Sequence, residues 1–251
     1  MSEQMDIFSS FCVPFKFSRK KVTHIIELFG GIGCQARALE RMGIPFYSTL
    51  VEIDKYAVKS YNAIHGTDFE TKDICQVHAS DLGIKADEQN ILFYSFPCTD
   101  ISQAGLQKGI TEETRSGLLF EVQRLLGECG GGSKPQVCIM ENVPPLLSKK
   151  FLPVYHQHIS FMESIGYENF TQVLNSKDYG IPQNRERVFC VSILKELGDY
   201  TYEFPQPIPL KLCLKDMLED NVDEKYYLSE RMIKYITSED DKYKVNLGGC
   251  K

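Results

Sequence analysis

The 251-residue chain lacks any uninterrupted apolar run near the roughly 18 to 20 residues that cross a bilayer, and residues 1–21 carry no hydrophobic block of the secretory kind. Neither a membrane protein nor a secreted one is expected, and the chain reads as cytoplasmic. None of its nine cysteines stands in a Cys-x-x-Cys pair. Their odd number and scatter argue for reduced thiols, with neither a disulfide framework nor a zinc site, and no metal is expected. Basic excess is missing too: the net charge of −6 argues mildly against a nucleic-acid partner, because duplex binders usually carry a basic face. Local basic clusters remain at residues 18–21 and at Arg185 and Arg187, while acidic residues gather late, between Asp216 and Asp241. There is no internal repeat, and the glycines of residues 130–135 do not meet the Gly-x4-Gly-Lys-Ser/Thr phosphate-loop pattern.

What is present is an α/β alternation. Residues 22–29, Val-Thr-His-Ile-Ile-Glu-Leu-Phe, predict a first strand, followed at once by Gly30, Gly31, Ile32 and Gly33 and a helix over 37–42. Gly31, Gly33 and Ala36 match Gly-x-Gly-x-x-Ala, a turn whose glycines let backbone approach a ligand and whose helix start offers free N–H groups. A second strand over 46–51 ends at Glu52 and Ile53, about 20 residues beyond the glycines, where a carboxylate can accept from ribose hydroxyls. An adenosine-like ligand follows, either a nicotinamide dinucleotide or S-adenosylmethionine. After a helix over 56–64, residues 71–75 predict a short strand or loop carrying Asp73 and Ile74; Asp73 suits either an adenine amino group or a turn cap.

The apolar run 91–96 predicts a strand that Pro97 stops, leaving Cys98 at its carboxyl end, the edge where ligands collect in open α/β sheets. Taken alone, a free cysteine is more often a small packing residue. The weakly periodic stretch 99–117 is long enough to act as a lid, and the helix beginning at Leu118 follows it. Residues 136–143 predict a further strand that stays apolar until Glu141, beside Asn142. Neighbouring strand ends bring Glu141 near Cys98, and a desolvated carboxyl there suits a proton donor. Beyond a helix over 152–165, a strand over 170–175 and a hairpin-like 178–182, Gln183, Arg185 and Arg187 alternate toward a last strand and are expected to share one face. Two guanidiniums there suit phosphate or a base carbonyl, or else pair with Glu186. From 206 the sheet pattern gives way to a linker with helical candidates at 214–218 and 230–236.

In order, the residues Phe29-Gly-Gly-Ile-Gly33, Glu52, Asp73-Ile74, Phe96-Pro-Cys98, Glu141-Asn-Val143 and Gln183-x-Arg-x-Arg187 resemble the cytosine-5 DNA methyltransferases over residues 22–194. The resemblance implies a Rossmann-like methyltransferase fold, a doubly wound, mostly parallel sheet with an antiparallel final strand. It also implies S-adenosylmethionine as cofactor, held by Phe29, Gly30 to Gly33, Glu52, Ile53, Asp73, Ile74, Pro97 and Leu118. By likeness, Cys98 and Glu141 form the catalytic pair, with Asn142, Arg185 and Arg187 in support, acting on a cytosine flipped out of double-stranded DNA. The implied domains are an arm over 1–21, a catalytic and cofactor-binding domain over 22–205, and the start of a recognition region over 206–251.

Two departures accompany the resemblance. Thr99 stands where the family commonly has Gln, and residues 247–251 lack the family's last Gly-Asn motif. A second chain or a further C-terminal segment is therefore expected to supply target recognition. The competing expectations are a tRNA-directed relative, an inactive half enzyme and, from the glycine turn alone, a nicotinamide oxidoreductase.

Overall fold

The computed structural model describes residues 11–12, 22–98, 110–111, 114–130, 133–198 and 201–237. Eight strands form: β1 (Phe11–Cys12), β2 (Thr23–Leu28), β3 (Phe46–Val51), β4 (Gln89–Tyr94), β5 (Val137–Asn142), β6 (Tyr167–Asn175), β7 (Glu186–Leu194) and β8 (Thr201–Tyr202). The helices are α1 (Cys34–Met42), α2 (Lys55–His65), α3 (Leu118–Glu128), α4 (Leu152–Ser164) and α5 (Glu230–Thr237). Six strands make one sheet in the order β3-β2-β4-β5-β7-β6, and β1 pairs separately with β8. β3, β2, β4 and β5 run parallel, whereas β7 is antiparallel to both β5 and β6. This is the mostly parallel sheet with a reversed final strand that the resemblance implies.

All six residues of β2 are buried, because helices cover both faces and side chains alternate between them. Ile25 packs with Ala36 and Leu39 of α1 and Val58 and Tyr61 of α2. Ile26 and Leu28 pack the other way, with Leu119, Val122 and Leu125 of α3 and Tyr155 and Met162 of α4. The apolar periodicity of the helices and the continuous apolar runs of the strands thus satisfy one another. A consequence is that every parallel strand delivers its carboxyl end to one edge, and β7, reversed, delivers its amino end there.

Of the two expectations for 71–75, a short strand or a loop, the loop is what forms. Asp73 caps a 3-10 turn over Ile74–Gln76, its Oδ1 accepting the Cys75 N–H at 3.0 Å. That local bond, with the Lys72 N–H donated to the Glu52 carbonyl at 2.8 Å, satisfies the backbone without a ladder. The expected lid at 99–117 lies largely outside the described residues. The chain divides into two units, residues 1–210 and 211–251. In the second, the helical candidates form as a 3-10 turn over Leu214–Met217 and as α5. Among the described residues, no helix is long and apolar enough to cross a membrane.

Candidate active site

The glycine turn sits where β2 ends. Phe29 takes φ 58°, a left-handed conformation that costs a bulky residue energy and persists only where its surroundings enforce it. Its N–H is held by the Val51 carbonyl at 2.8 Å. Gly31 (φ +57°) has nothing within 4 Å of the place a Cβ would occupy, so its backbone faces open space. Gly33 (φ +82°) is the opposite case: a Cβ would stand 2.4 Å from His65 Nε2 and 2.6 Å from Tyr61, so only glycine fits behind the turn.

Glu52 fixes the turn from the end of β3. Its Oε2 accepts the Gly31 N–H at 3.0 Å and its Oε1 the Asp54 N–H at 2.9 Å. A carboxylate has about four acceptor positions, so capacity remains for hydroxyls. Ile32 and Ile53, next to the turn and to Glu52 in sequence, are apolar side chains 49% and 66% exposed. Asp73 is exposed and Ile74 buried beneath it.

Just past β4, which ends at Tyr94 and so before the expected stop at Pro97, Phe96 is buried while Pro97 and Cys98 are half-buried, and the free Cys98 thiol packs against the core that α3 covers. Two side-chain donors hold the carbonyls just before the thiol. Asn142 Nδ2 donates to Phe96 O at 3.0 Å and Ser116 Oγ to Pro97 O at 2.7 Å. Asn142 Oδ1 in turn accepts the Val143 N–H at 2.8 Å. Both donors are buried, so these bonds are shielded from water.

Glu141 does not stand as an isolated desolvated carboxyl. Register pairs Glu141 with Phe189 and Asn142 with Val188, which brings Arg187 to the same edge, and its Nε lies 2.8 Å from Glu141 Oε1. The two side chains keep 21% and 28% of their surface. Arg187 also donates from Nη1 to the Glu186 carbonyl at 2.7 Å. Gln183 and Arg185 depart from expectation. β7 begins only at Glu186, and residues 183–185 form a turn in which the Arg185 N–H donates to Gln183 O at 3.0 Å. Strand alternation therefore does not reach Arg185, whose side chain is exposed. Leu118 is half-buried where α3 begins.

Four residues supporting this edge escaped sequence reasoning. Glu27, fully buried in β2, accepts from Tyr61 Oη at 2.5 Å and from the Ala36 N–H at 3.4 Å; burial raises its pKa, against the effect of these two donors. His65 places Nδ1 2.7 Å from Glu40 Oε1 and Nε2 3.1 Å from Ile32 O, bracing the glycine turn from α2. Ser116 holds the thiol's approach, and Arg124 holds the turn after Asp73. An acid within an apolar strand was a visible signal for Glu27, and acids three before and four after Arg124 were one for it; nothing marked Ser116.

A family model described as C-5 cytosine-specific DNA methylase matches residues 23–249. The Type II methyltransferase M.NlaX of Neisseria lactamica is 38% identical over 212 residues, covering 83% of this chain and 63% of the relative. The Type II methyltransferase M2.ScrFI of Lactococcus lactis subsp. cremoris is 34% identical, covering 83% of this chain and 71% of the relative. Among solved structures, the Entamoeba histolytica methyltransferase EhMeth superposes with a TM-score of 0.70 at 20% identity over 85% of this chain and 65% of that one. The S. pombe Dnmt2 methyltransferase gives 0.63 at 20% identity over 86% and 66%. These likenesses carry the fold, that of the S-adenosylmethionine-dependent methyltransferases. The chain thus spans a little under two thirds of the length of the Neisseria relative. Matched by the family model over residues 23–249, it belongs to the C-5 cytosine-specific DNA methylase family.

Proposed function

We propose that this chain is the catalytic portion of a DNA (cytosine-5) methyltransferase. The observation that carries the reading is the meeting at one sheet edge of an open glycine cradle, a half-buried thiol and an arginine-paired glutamate. The residues fit S-adenosylmethionine. Gly31 leaves room for a ligand against its backbone, Ile32 and Ile53 offer apolar cover, and Glu52 and Asp73 offer acceptors for ribose hydroxyls and an adenine amino group. Phe29, Ile74, Pro97 and Leu118 complete the lining, and Gly30 and Gly33, packed on Leu50 and on Tyr61 and His65, shape the turn from behind. When bound, this cofactor supplies an electrophilic methyl group.

The chain's own residues make the cytosine able to receive it. Carbon 5 is a weak nucleophile, and attack by the Cys98 thiolate on carbon 6 turns the ring into an enamine. As negative charge develops on the ring it is met by a proton shared between N3 and Glu141, while Arg187 orients Glu141 through their ion pair and donates toward O2. Asn142 fixes the segment that carries the thiol. Once the methyl group is in place, loss of the C5 proton expels the thiolate. A stacked base cannot present carbon 6 to a thiol, so the nucleotide is flipped out of the duplex. Arg185, exposed beside this edge, suits a phosphate contact. We assign the choice of cytosine to a further segment or a second chain, in keeping with the share of the relatives' length covered and the net charge of −6. The working place is the cytoplasm, on chromosomal or phage DNA.

The test is covalent trapping on duplex DNA containing 5-fluorocytosine, with tRNA as the competing substrate. Wild-type protein with S-adenosylmethionine forms a denaturant-stable adduct on DNA, and Cys98→Ser does not. An adduct that survives Cys98→Ser, or labelling of tRNA in preference to DNA, overturns the reading.

A further inference from the structure

The turn that presents Asp73 has no strand behind it; α3 grips it instead. Arg124 sends Nη2 to the carbonyl oxygens of Ile74 and Val77, at 3.1 and 2.8 Å. Its Nε meets Glu121 Oε2 at 2.8 Å and its Nη1 meets Glu128 Oε1 at 2.6 Å. Glu128 reaches onward, Oε2 accepting the Ala79 N–H at 3.0 Å. Arg124 and Glu128 therefore hold the turn and the residues just after it, with Glu121 fixing the guanidinium; the Ile74 carbonyl, which also accepts the Val77 N–H at 3.2 Å, and the Val77 carbonyl take their side-chain donor from Arg124. Asp73 Oδ1 is committed to the Cys75 N–H inside the same turn, so the direction of the carboxylate follows wherever the clamp holds the backbone.

We propose that Arg124 is a positioning residue for base selectivity, aiming the Asp73 carboxylate at the 6-amino group of the cofactor's adenine. The proposal rests on the cofactor reading above. The fork geometry is what the task needs: a guanidinium serves two carboxylates and two carbonyls at fixed angles, whereas an ammonium is a point charge without that pattern. A correctly aimed carboxylate accepts from an amino group and repels the carbonyl oxygen that hypoxanthine carries at the same place. Asp73 is exposed in the free chain, so the selectivity arises once a bound ligand covers it: a mismatched group then leaves the carboxylate facing a carbonyl oxygen with no proton between them.

The experiment is calorimetric titration of the full chain with S-adenosylhomocysteine and with its hypoxanthine counterpart, S-inosylhomocysteine. Wild-type protein is expected to favour the adenine ligand by about 100-fold. Arg124→Met lowers that preference about tenfold, and Arg124→Lys lowers it less, as one lost and one partly kept charge-assisted contact. Arg124→Lys keeps a cation between Glu121 and Glu128, so the ratio remains readable should the Met variant fail to fold. Equal weakening of both ligands, with the ratio unchanged, makes Arg124 a general brace and overturns the proposal. So does a wild-type chain that binds both ligands alike. A wild-type chain that binds neither overturns the cofactor reading itself, and the proposal with it.

Discussion

The two halves of the reactive edge differ in the balance of what ties them down: carboxylate acceptors dominate the glycine side, where His65 and Arg124 add contacts to carbonyls, and side-chain donors dominate the thiol side, where Asn142 also accepts the Val143 N–H. On the glycine side, carboxylates accept from backbone N–H groups: Glu52 from Gly31 and Asp54, Glu27 from Ala36, Asp73 from Cys75. On the thiol side, donors reach backbone carbonyls, Asn142 to Phe96 and Ser116 to Pro97. The difference follows from the residues in each turn. A glycine turn opening a helix leaves N–H groups without partners, whereas a segment that runs into proline has no N–H at that residue and leaves carbonyls to be satisfied. Among the buried titratable groups are an acid and a base whose shifts can be compared, Glu27 in β2 and His158 against Tyr94 of β4, its Nε2 2.8 Å from the tyrosine oxygen. Burial disfavours charge of either sign, so the two groups pull stability in opposite directions with pH.

The glycine side breaks most completely at Gly33. Gly33→Ala forces a side chain into a left-handed backbone and against Tyr61 and His65, costing roughly 4 kcal/mol and lowering Tm by about 8 to 16 °C in a calorimetric scan. An unchanged Tm refutes the tightness described for that turn.

The contrast sharpens with pH. Folding lowers the His158 pKa from 6.5 to about 4, so the folded chain binds fewer protons than the unfolded one. Its contribution is complete above pH 6.5 and is lost as pH falls toward about 4, worth about 3 kcal/mol in urea midpoints; His158→Gln flattens that limb. Glu27 behaves in reverse. Its pKa is raised by burial, so its contribution is present below its ordinary 4.5 and is lost as pH rises through the folded value, and Glu27→Gln removes this second slope. Slopes of the same sign in both variants would erase the contrast between the two groups.

The smallest effect is the most selective. Ser116→Ala costs about 1 kcal/mol of stability and slows adduct formation at Cys98, while the affinity for S-adenosylhomocysteine stays at the wild-type value. A matching loss of cofactor affinity would show that the two halves are not held separately.

Much of this edge was legible before any coordinates. The apolar runs before Glu52, Cys98 and Glu141 read correctly as strands but less well as ends: β4 stops at Tyr94, before Pro97 is reached, and β5 runs on through Asn142. The segment at 71–75 read poorly, since a short stretch with an aspartate fits a strand or a cap equally and a hydrogen bond two residues away decided it. Gln183 and Arg185 misled because alternation was projected into a turn. Ser116 to Pro97, His65 to Ile32 and Arg124 to Ile74 span 19, 33 and 50 residues, and no local pattern announces such partners. The residues proposed for the chemistry carried motifs; Ser116 and His65, which brace them, did not.

The reversed strand β7 also sets the order in which the site is completed. Arg187 leaves the ribosome seconds after Glu141, at the usual rate of about 5 to 20 residues per second. In that interval a nascent chain already holds the glycine cradle, the thiol and the glutamate, but not the cation that pairs with the glutamate. β7 must turn back and add itself beside β5 before the pair exists, so an interrupted polypeptide carries a thiol without a finished acid beside it. The pair therefore closes only once β7, which runs against both its neighbours in the six-stranded sheet, has been added beside β5.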